Sequence, residues 1–139
     1  VPVFACGGPT HRIAPGGELL STAAQVRGAA GCVTDGLVRD TKAIRAMGFP
    51  VFHGGIGPLD SKGRRKMMEP ECRVARGGGL VMPGDWVFGD ADGAVVVPAA
   101  VAEEVFAKAL EKVAAEDRTR DELRAGQSLR DVFDRFGIL

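Results

Sequence analysis

Three short apolar runs, "VPVFAC", "GCVTDG" and "PVFHG", alternate with two segments of helical spacing, "ELLSTAAQVRG" and "RDTKAIRAMG". Runs this short, bounded by glycine and proline, read as buried strands. In the first helical segment Leu19, Leu20, Ala23, Ala24 and Val26 carry the apolar face, and Gly28 is a stop signal. The second segment ends at Gly48. A strand–helix–strand–helix–strand order restricts the chain to parallel strands joined by right-handed crossovers. An α/β fold class follows.

Beyond His53 the character changes. "GPLDSKGRRKMMEP" is a polar loop with a basic cluster. "ECRVA", "GLVMPGDWVFGD" and "GAVVVP" read as strands, and Asp92-Gly93 between the last two is a hairpin signal. A long helix is expected from Ala99, with Val101, Val105, Phe106, Ala109, Leu110 and Val113 on one face and a polar continuation to about Ala125. Gly126 breaks it. Ser128 can cap a last helix that carries Leu129, Val132, Phe133 and Phe136. With no repeat and no low-complexity linker, residues 1–139 are expected to form a single domain.

Charge excludes one class of partner. The 18 basic and 18 acidic residues balance, whereas a general nucleic-acid binder needs a basic excess. No apolar run approaches membrane-spanning length, and no signal-peptide pattern opens the chain, so no membrane partner and a cytoplasmic location are expected. Cys6, Cys32 and Cys72 are odd in number and lack CxxC spacing, which predicts buried thiols in a reducing compartment. The sequence opens at Val1, already strand-like, so a further segment is expected to precede it.

Glu18 opens one helix and Arg39-Asp40 opens the next, each just after a strand. Carboxyl ends of parallel strands share an edge, and ligands bind there. The "GGELL" turn can offer backbone N–H donors to a carboxylate. Arg39 can grip a carboxylate or keto oxygen in a forked geometry. Asp40 can hold a hard divalent cation, with Glu18 reaching it directly or through water. Taken singly, however, acidic residues in a first helical turn are more often caps than ligands, and a lone arginine can be a surface ion-pair partner.

The stretches "GGELLSTAAQVRGAAG", "VTDGLVRD", "IRAMGFPVF" and "VMPGDWVFGDADGAVVVP" tip this balance. From about Gly7 to Pro98 the chain resembles the family that contains the 4-hydroxy-4-methyl-2-oxoglutarate/4-carboxy-4-hydroxy-2-oxoadipate aldolases and the RraA-like regulators of ribonuclease E. The ending "TRDELRAGQSLRDVFDRFGIL" also looks like family endings. The aldolases carry an acidic residue, twenty intervening residues, then Arg-Asp. Here that pattern is Glu18 and Arg39-Asp40, with Glu in place of the commoner Asp. The regulators generally lack the full set.

The resemblance implies a compact α/β/β sandwich of the swivelling RraA-like type, assembled as a homotrimer or dimer of trimers with sites between subunits. It implies that Gly17, Glu18, Leu19 and Leu20 form the turn whose backbone binds a keto-acid substrate, with Arg39 as the substrate-binding arginine and Asp40 as the metal ligand. Mg²⁺ suits carboxylate and water ligands, and Mn²⁺ can substitute. Retro-aldol cleavage of a 4-hydroxy-2-keto acid and decarboxylation of oxaloacetate both leave a pyruvate enolate, so both need positive charge at the keto oxygen. No lysine stands in an apolar strand as a Schiff-base candidate, which favours metal-dependent chemistry. Glu18, through a bridging water, is the candidate base for the C4 hydroxyl. The alternative is a non-catalytic regulator that binds ribonuclease E or another RNA-processing protein.

Other features are weaker. His53 ends an apolar strand and reads as structural, while His11 and Arg12 can line a pocket before Glu18. "KGRRKMMEPECRVAR" reads as a solvated loop. "RGGG" at 76–79 opens no helix and no GK[ST] loop exists, which argues against nucleotide binding.

Overall fold

The structure, a computed structural model, describes residues 1–6, 13–76 and 79–137. His11 and Arg12, and part of the "RGGG" run, lie outside the described residues, as do Ile138 and Leu139. The chain forms two compact units, Val1–Pro98 and Ala99–Leu139.

The first unit contains the expected alternation. Strand β1 (Val3–Phe4), helix α1 (Glu18–Val26), strand β2 (Cys32–Thr34), helix α2 (Thr41–Ala46) and strand β4 (Val51–Phe52) appear in that order. The sheet order is β1-β2-β4, all parallel, with Val3 opposite Val33 and Cys32 opposite Val51.

Two elements were not expected. Strands β3 (Leu37–Val38) and β5 (Gly55–Ile56) form a second parallel pair. Both arise from the same sidestep. After β2 the chain bends at Asp35-Gly36, and after β4 it bends at His53-Gly54. The partner offset drops by one residue between the two pairs. The bends lie against each other, with Gly54 N–H donating to Gly36 O at 3.0 Å. A Cβ on Gly54 would come within 2.3 Å of the Asp35 carbonyl, so only glycine permits this approach. His53 serves the same bend: its Nδ1 accepts from Gly55 N–H at 3.1 Å, as a structural histidine should.

The later strands differ from expectation in one place. "GLVMPGDWVFGD" is not one strand. It divides into β7 (Gly79–Val81), paired antiparallel with β6 (Val74–Arg76), and β8 (Trp86–Asp90). Pro83-Gly84 turns the chain between them, closed by Asp85 N–H on Met82 O at 3.1 Å. Strand β8 pairs with β9 (Gly93–Val97) across the Asp92-Gly93 hairpin, as its turn chemistry predicts. Gly89 of β8 sits against the Phe52 ring, which fixes the inner face of this hairpin. Trp86, Phe88 and Val95 are exposed. The core of the unit holds Ala14, Cys32, Leu37, Val38, Ile44, Phe49, Val81 and Val97. Of the three cysteines only Cys32 is buried. Cys6 and Cys72 are half-buried, because each lies in a connection rather than inside a strand, and none of the three is in a disulfide.

The second unit is helical. A short 3-10 turn (Ala99–Val101) leads into α3 (Ala102–Arg124), followed by α4 (Leu129–Phe136). Ser128 caps α4 as expected, accepting from Asp131 N–H at 3.1 Å. Val132 is fully buried, while Val101, Val105, Leu110 and Val113 are exposed. Within α3, Val105, Leu110 and Val113 are thus exposed, while Phe106 is half-buried. No helix among the described residues is long and apolar enough to cross a membrane.

Candidate active site

Arg39 and Asp40 stand at the carboxyl end of β3, on the secondary sheet rather than directly after β2. Three parallel segments meet there. Gly16 forms a parallel bridge with Val38 on one side, and β5 pairs with β3 on the other. Arg39 N–H donates to Gly16 O and Gly57 N–H donates to Val38 O, both at 3.0 Å. The backbone thus fixes where both charged residues emerge.

Asp40 has a left-handed backbone (φ 57°), a conformation that aspartate tolerates better than most residues. It occupies the N-cap position of α2, yet its side chain makes no capping bond to that helix. Instead its Oδ2 accepts from Glu18 N–H at 3.2 Å, the first residue of α1. The carboxylate therefore meets the positive end of the other helix. Arg39 Nε lies 3.5 Å from the same oxygen, with side chains 30% and 48% exposed for Arg39 and Asp40. Arg39 Nη1 donates to Ala14 O at 2.7 Å, and Ala14 N–H donates to Leu59 O at 2.7 Å.

Gly17 makes this convergence possible. A Cβ there would lie 2.8 Å from Asp40 Oδ2 and 2.9 Å from Arg39 Cζ. Its backbone is extended, so space and not conformation demands glycine. A cleft of about 360 Å³ opens beside the pair, lined by Arg39, Asp40, Ile56, Gly57 and Pro58.

The structure therefore brings Gly17, Glu18, Arg39 and Asp40 together, but Glu18 joins through its main chain. Its carboxylate accepts from Thr22 Oγ1 at 3.1 Å, one turn along α1. Leu19 and Leu20 follow in the first turn with exposed side chains, and their N–H groups precede the first intrahelical bond, Ser21 N–H to Gly17 O. The wall formed by Ile56, Gly57 and Pro58 was absent from the sequence reading, although the glycine-rich "GGIGP" run after the third strand marks it. The Ala14 carbonyl carries no sequence signal at all.

Among the described residues no three His, Cys, Asp or Glu side chains gather as a metal cage. Asp40 alone presents a half-open carboxylate at the cleft. That suits Mg²⁺, which keeps several waters and takes one or two carboxylates.

Comparison with known proteins identifies the family. Residues 1–96 match the RraA-like family described as Aldolase/RraA. The chain belongs to that family, with its mixed α/β fold. It is 36% identical over 121 residues to a protein of Halalkalibacterium halodurans provisionally named 4-hydroxy-4-methyl-2-oxoglutarate aldolase, covering 87% of this chain and 56% of the relative. It is also 36% identical over 118 residues to an uncharacterized protein of Methanocaldococcus jannaschii, covering 85% and 56%. The chain thus spans little more than half the length of these relatives.

Two solved structures share the fold. An uncharacterized protein from Pseudomonas syringae pv. tomato superposes with a TM-score of 0.90 at 26% identity, covering 94% of this chain and 64% of that one. Streptomyces coelicolor RraAS2, an unusual member of the RNase ES inhibitor RraA protein family, gives 0.77 at 31% identity, covering 86% and 62%.

Proposed function

We propose that this chain carries the site of a divalent-metal-dependent pyruvate aldolase. It would cleave 4-hydroxy-2-keto dicarboxylic acids to pyruvate and a second keto acid, and decarboxylate oxaloacetate. The supporting observation is the Arg39–Asp40 pair, held against Gly17 at the mouth of a cleft.

The chemistry needs positive charge where the keto oxygen becomes an enolate oxygen. Arg39 supplies part of it. Ala14 O fixes one end of its guanidinium, so the group is oriented before substrate arrives. Asp40 would hold Mg²⁺, or Mn²⁺ in its place, and the bound ion would supply the remaining positive charge. The N–H groups of Leu19 and Leu20 open α1 and would receive the substrate carboxylate, while Gly17 leaves room for Asp40 and Arg39 beside them. Glu18 would take the C4 hydroxyl proton through a bridging water. Decarboxylation has no such proton to remove.

Pyruvate release from oxaloacetate, with and without chelator, tests this reading. Chelation is expected to abolish release, and added Mg²⁺ or Mn²⁺ to restore it. Full activity in excess chelator would remove the metal from the account. No release with either metal would favour the second reading, a regulator of an RNA-processing enzyme such as ribonuclease E, which the likeness to RraAS2 supports.

The chain is also proposed to assemble with itself on threefold symmetry, as a trimer or dimer of trimers. Trp86 and Phe88 on the hairpin are exposed, as are Leu129 and Phe133 on α4, and such apolar side chains support burial against further copies. Light scattering that finds only monomer at micromolar concentration would contradict this.

A further inference from the structure

We propose that Thr22 is a positioning residue, holding the Glu18 carboxylate for the aldol step; this rests on the assignment of Glu18 as the base. A threonine inside a helix commonly turns its hydroxyl back to the carbonyl four residues earlier. Here Thr22 Oγ1 bonds instead to the side chain four residues earlier, Glu18 Oε1, at 3.1 Å. Met47 Sδ lies 3.6 Å from the same hydroxyl. A thioether is a weak acceptor, so the single hydroxyl proton belongs to the carboxylate.

Met47 also fixes the frame. It is the C-cap of α2, the helix that Asp40 begins, and its carbonyl accepts from Gln25 Nε2 at 3.3 Å. Thr22 therefore stands where α1 rests on α2. It ties the Glu18 carboxylate to the same two helices that place Asp40. Its β-branched side chain is stiff at χ1, so the hydroxyl has a defined position. With Oε1 held by Thr22, Oε2 is the oxygen left to accept from a bridging water on this proposal. Glu18 is a flexible side chain at the start of a helix, and without this bond its carboxylate would sample several rotamers.

A role in positioning Glu18 makes a demand that general structural support does not. Loss of the hydroxyl must impair retro-aldol cleavage more than decarboxylation. The experiment compares the full wild-type chain with Thr22→Val, Thr22→Ser and Glu18→Gln at saturating Mg²⁺, using 4-hydroxy-4-methyl-2-oxoglutarate and oxaloacetate as substrates. Thr22→Val should lower kcat for aldol cleavage by about tenfold to a hundredfold, the scale of a misplaced reacting group, with a much smaller loss on oxaloacetate. Thr22→Ser should restore most of it. Glu18→Gln should lower aldol cleavage by about 10²–10⁴-fold. Circular dichroism checks that each variant folds, and Thr22→Ala replaces Thr22→Val should the latter not fold. Equal losses on both substrates for the hydroxyl-free variant, or none, overturn the proposal while leaving Glu18 in place. Equal losses for Glu18→Gln overturn the base assignment itself, and the role of Thr22 with it.

Discussion

The two units of this chain hold their charged residues in different ways. In Ala99–Leu139 most ion pairs are local: Glu104–Lys108, Lys112–Glu116, Asp117–Arg120, Asp121–Arg124 and Arg130–Asp134 are each three or four residues apart. Only Glu122–Arg135 links α3 to α4 among the described pairs. In Val1–Pro98 the site charges are held by bonds across long stretches of sequence. Asp40 meets the main chain of Glu18, and Arg39 meets Ala14, 22 and 25 residues away. Helical spacing delivers surface pairs at once, but they are exposed and weak. A site that needs a cation, a carboxylate and a helix start in one place requires a sheet to bring them together.

The largest effect should come from disturbing the nonlocal set. Arg39→Lys loses the planar fork that holds Ala14 O and that, on the proposed function, would also hold the substrate. Both aldol cleavage and decarboxylation should fall by a similar factor, about 10²-fold, on the scale of one lost transition-state donor. A loss confined to one reaction would show that Arg39 does not hold the keto-acid end common to both.

Gly17→Ala is the next sharpest test. The new methyl would displace Asp40 Oδ2 and the Arg39 guanidinium, since it cannot share their space. Both are ends of flexible side chains, so the fold should survive with about 1–3 kcal/mol lost. Turnover should fall by about tenfold or more through displacement of the reacting groups. Thermal unfolding and steady-state rates together decide it, and wild-type rates would mean that the pair can move without cost.

How much of this could be read beforehand varies with the range of the interactions. Helix α1, the alternation of strands and helices, the Asp92-Gly93 hairpin and the Ser128 cap each rest on neighbours within a few residues, and all were legible. Strands β3 and β5 were not. Two residues carry no periodicity, and their pairing depends on a bend that Gly54 permits only through contact with Asp35. The turn at Pro83-Gly84 was legible in principle but masked by the apolar residues on both sides. At the site, Glu18, Arg39 and Asp40 stood out by spacing and by resemblance. The direction of the Glu18 carboxylate toward Thr22 did not, because side-chain direction is not written in spacing. Nor did the need for space at Gly17, since its extended backbone leaves no signature.

Effects on stability alone separate the buried core from the helical surface. Burial pushes the Cys32 thiol up from 9.0 to about 11. The unfolded chain therefore loses this proton first as pH rises. The stability linked to it is complete below pH 9 and is lost as pH climbs toward 11, by about 2–3 kcal/mol relative to Cys32→Ala. Denaturant unfolding of both proteins across that range checks the sign, and parallel curves would place the thiol in contact with water. The smallest change belongs to the second unit. Lys108 Nζ lies 2.6 Å from Glu104 Oε1, but both side chains are largely exposed. Lys108→Ala should shift stability by no more than about 0.5 kcal/mol and leave turnover unaltered.

The central claim, that the Arg39–Asp40 cleft is the reactive centre, is tested most directly by Asp40→Asn. Asparagine accepts the same left-handed backbone and can still receive the Glu18 N–H, so the fold should be kept while the charge is removed. Pyruvate release from oxaloacetate at saturating Mg²⁺ should fall by about 10²-fold or more, with a wild-type circular dichroism spectrum and no recovery on adding metal. Wild-type turnover in Asp40→Asn would contradict the account.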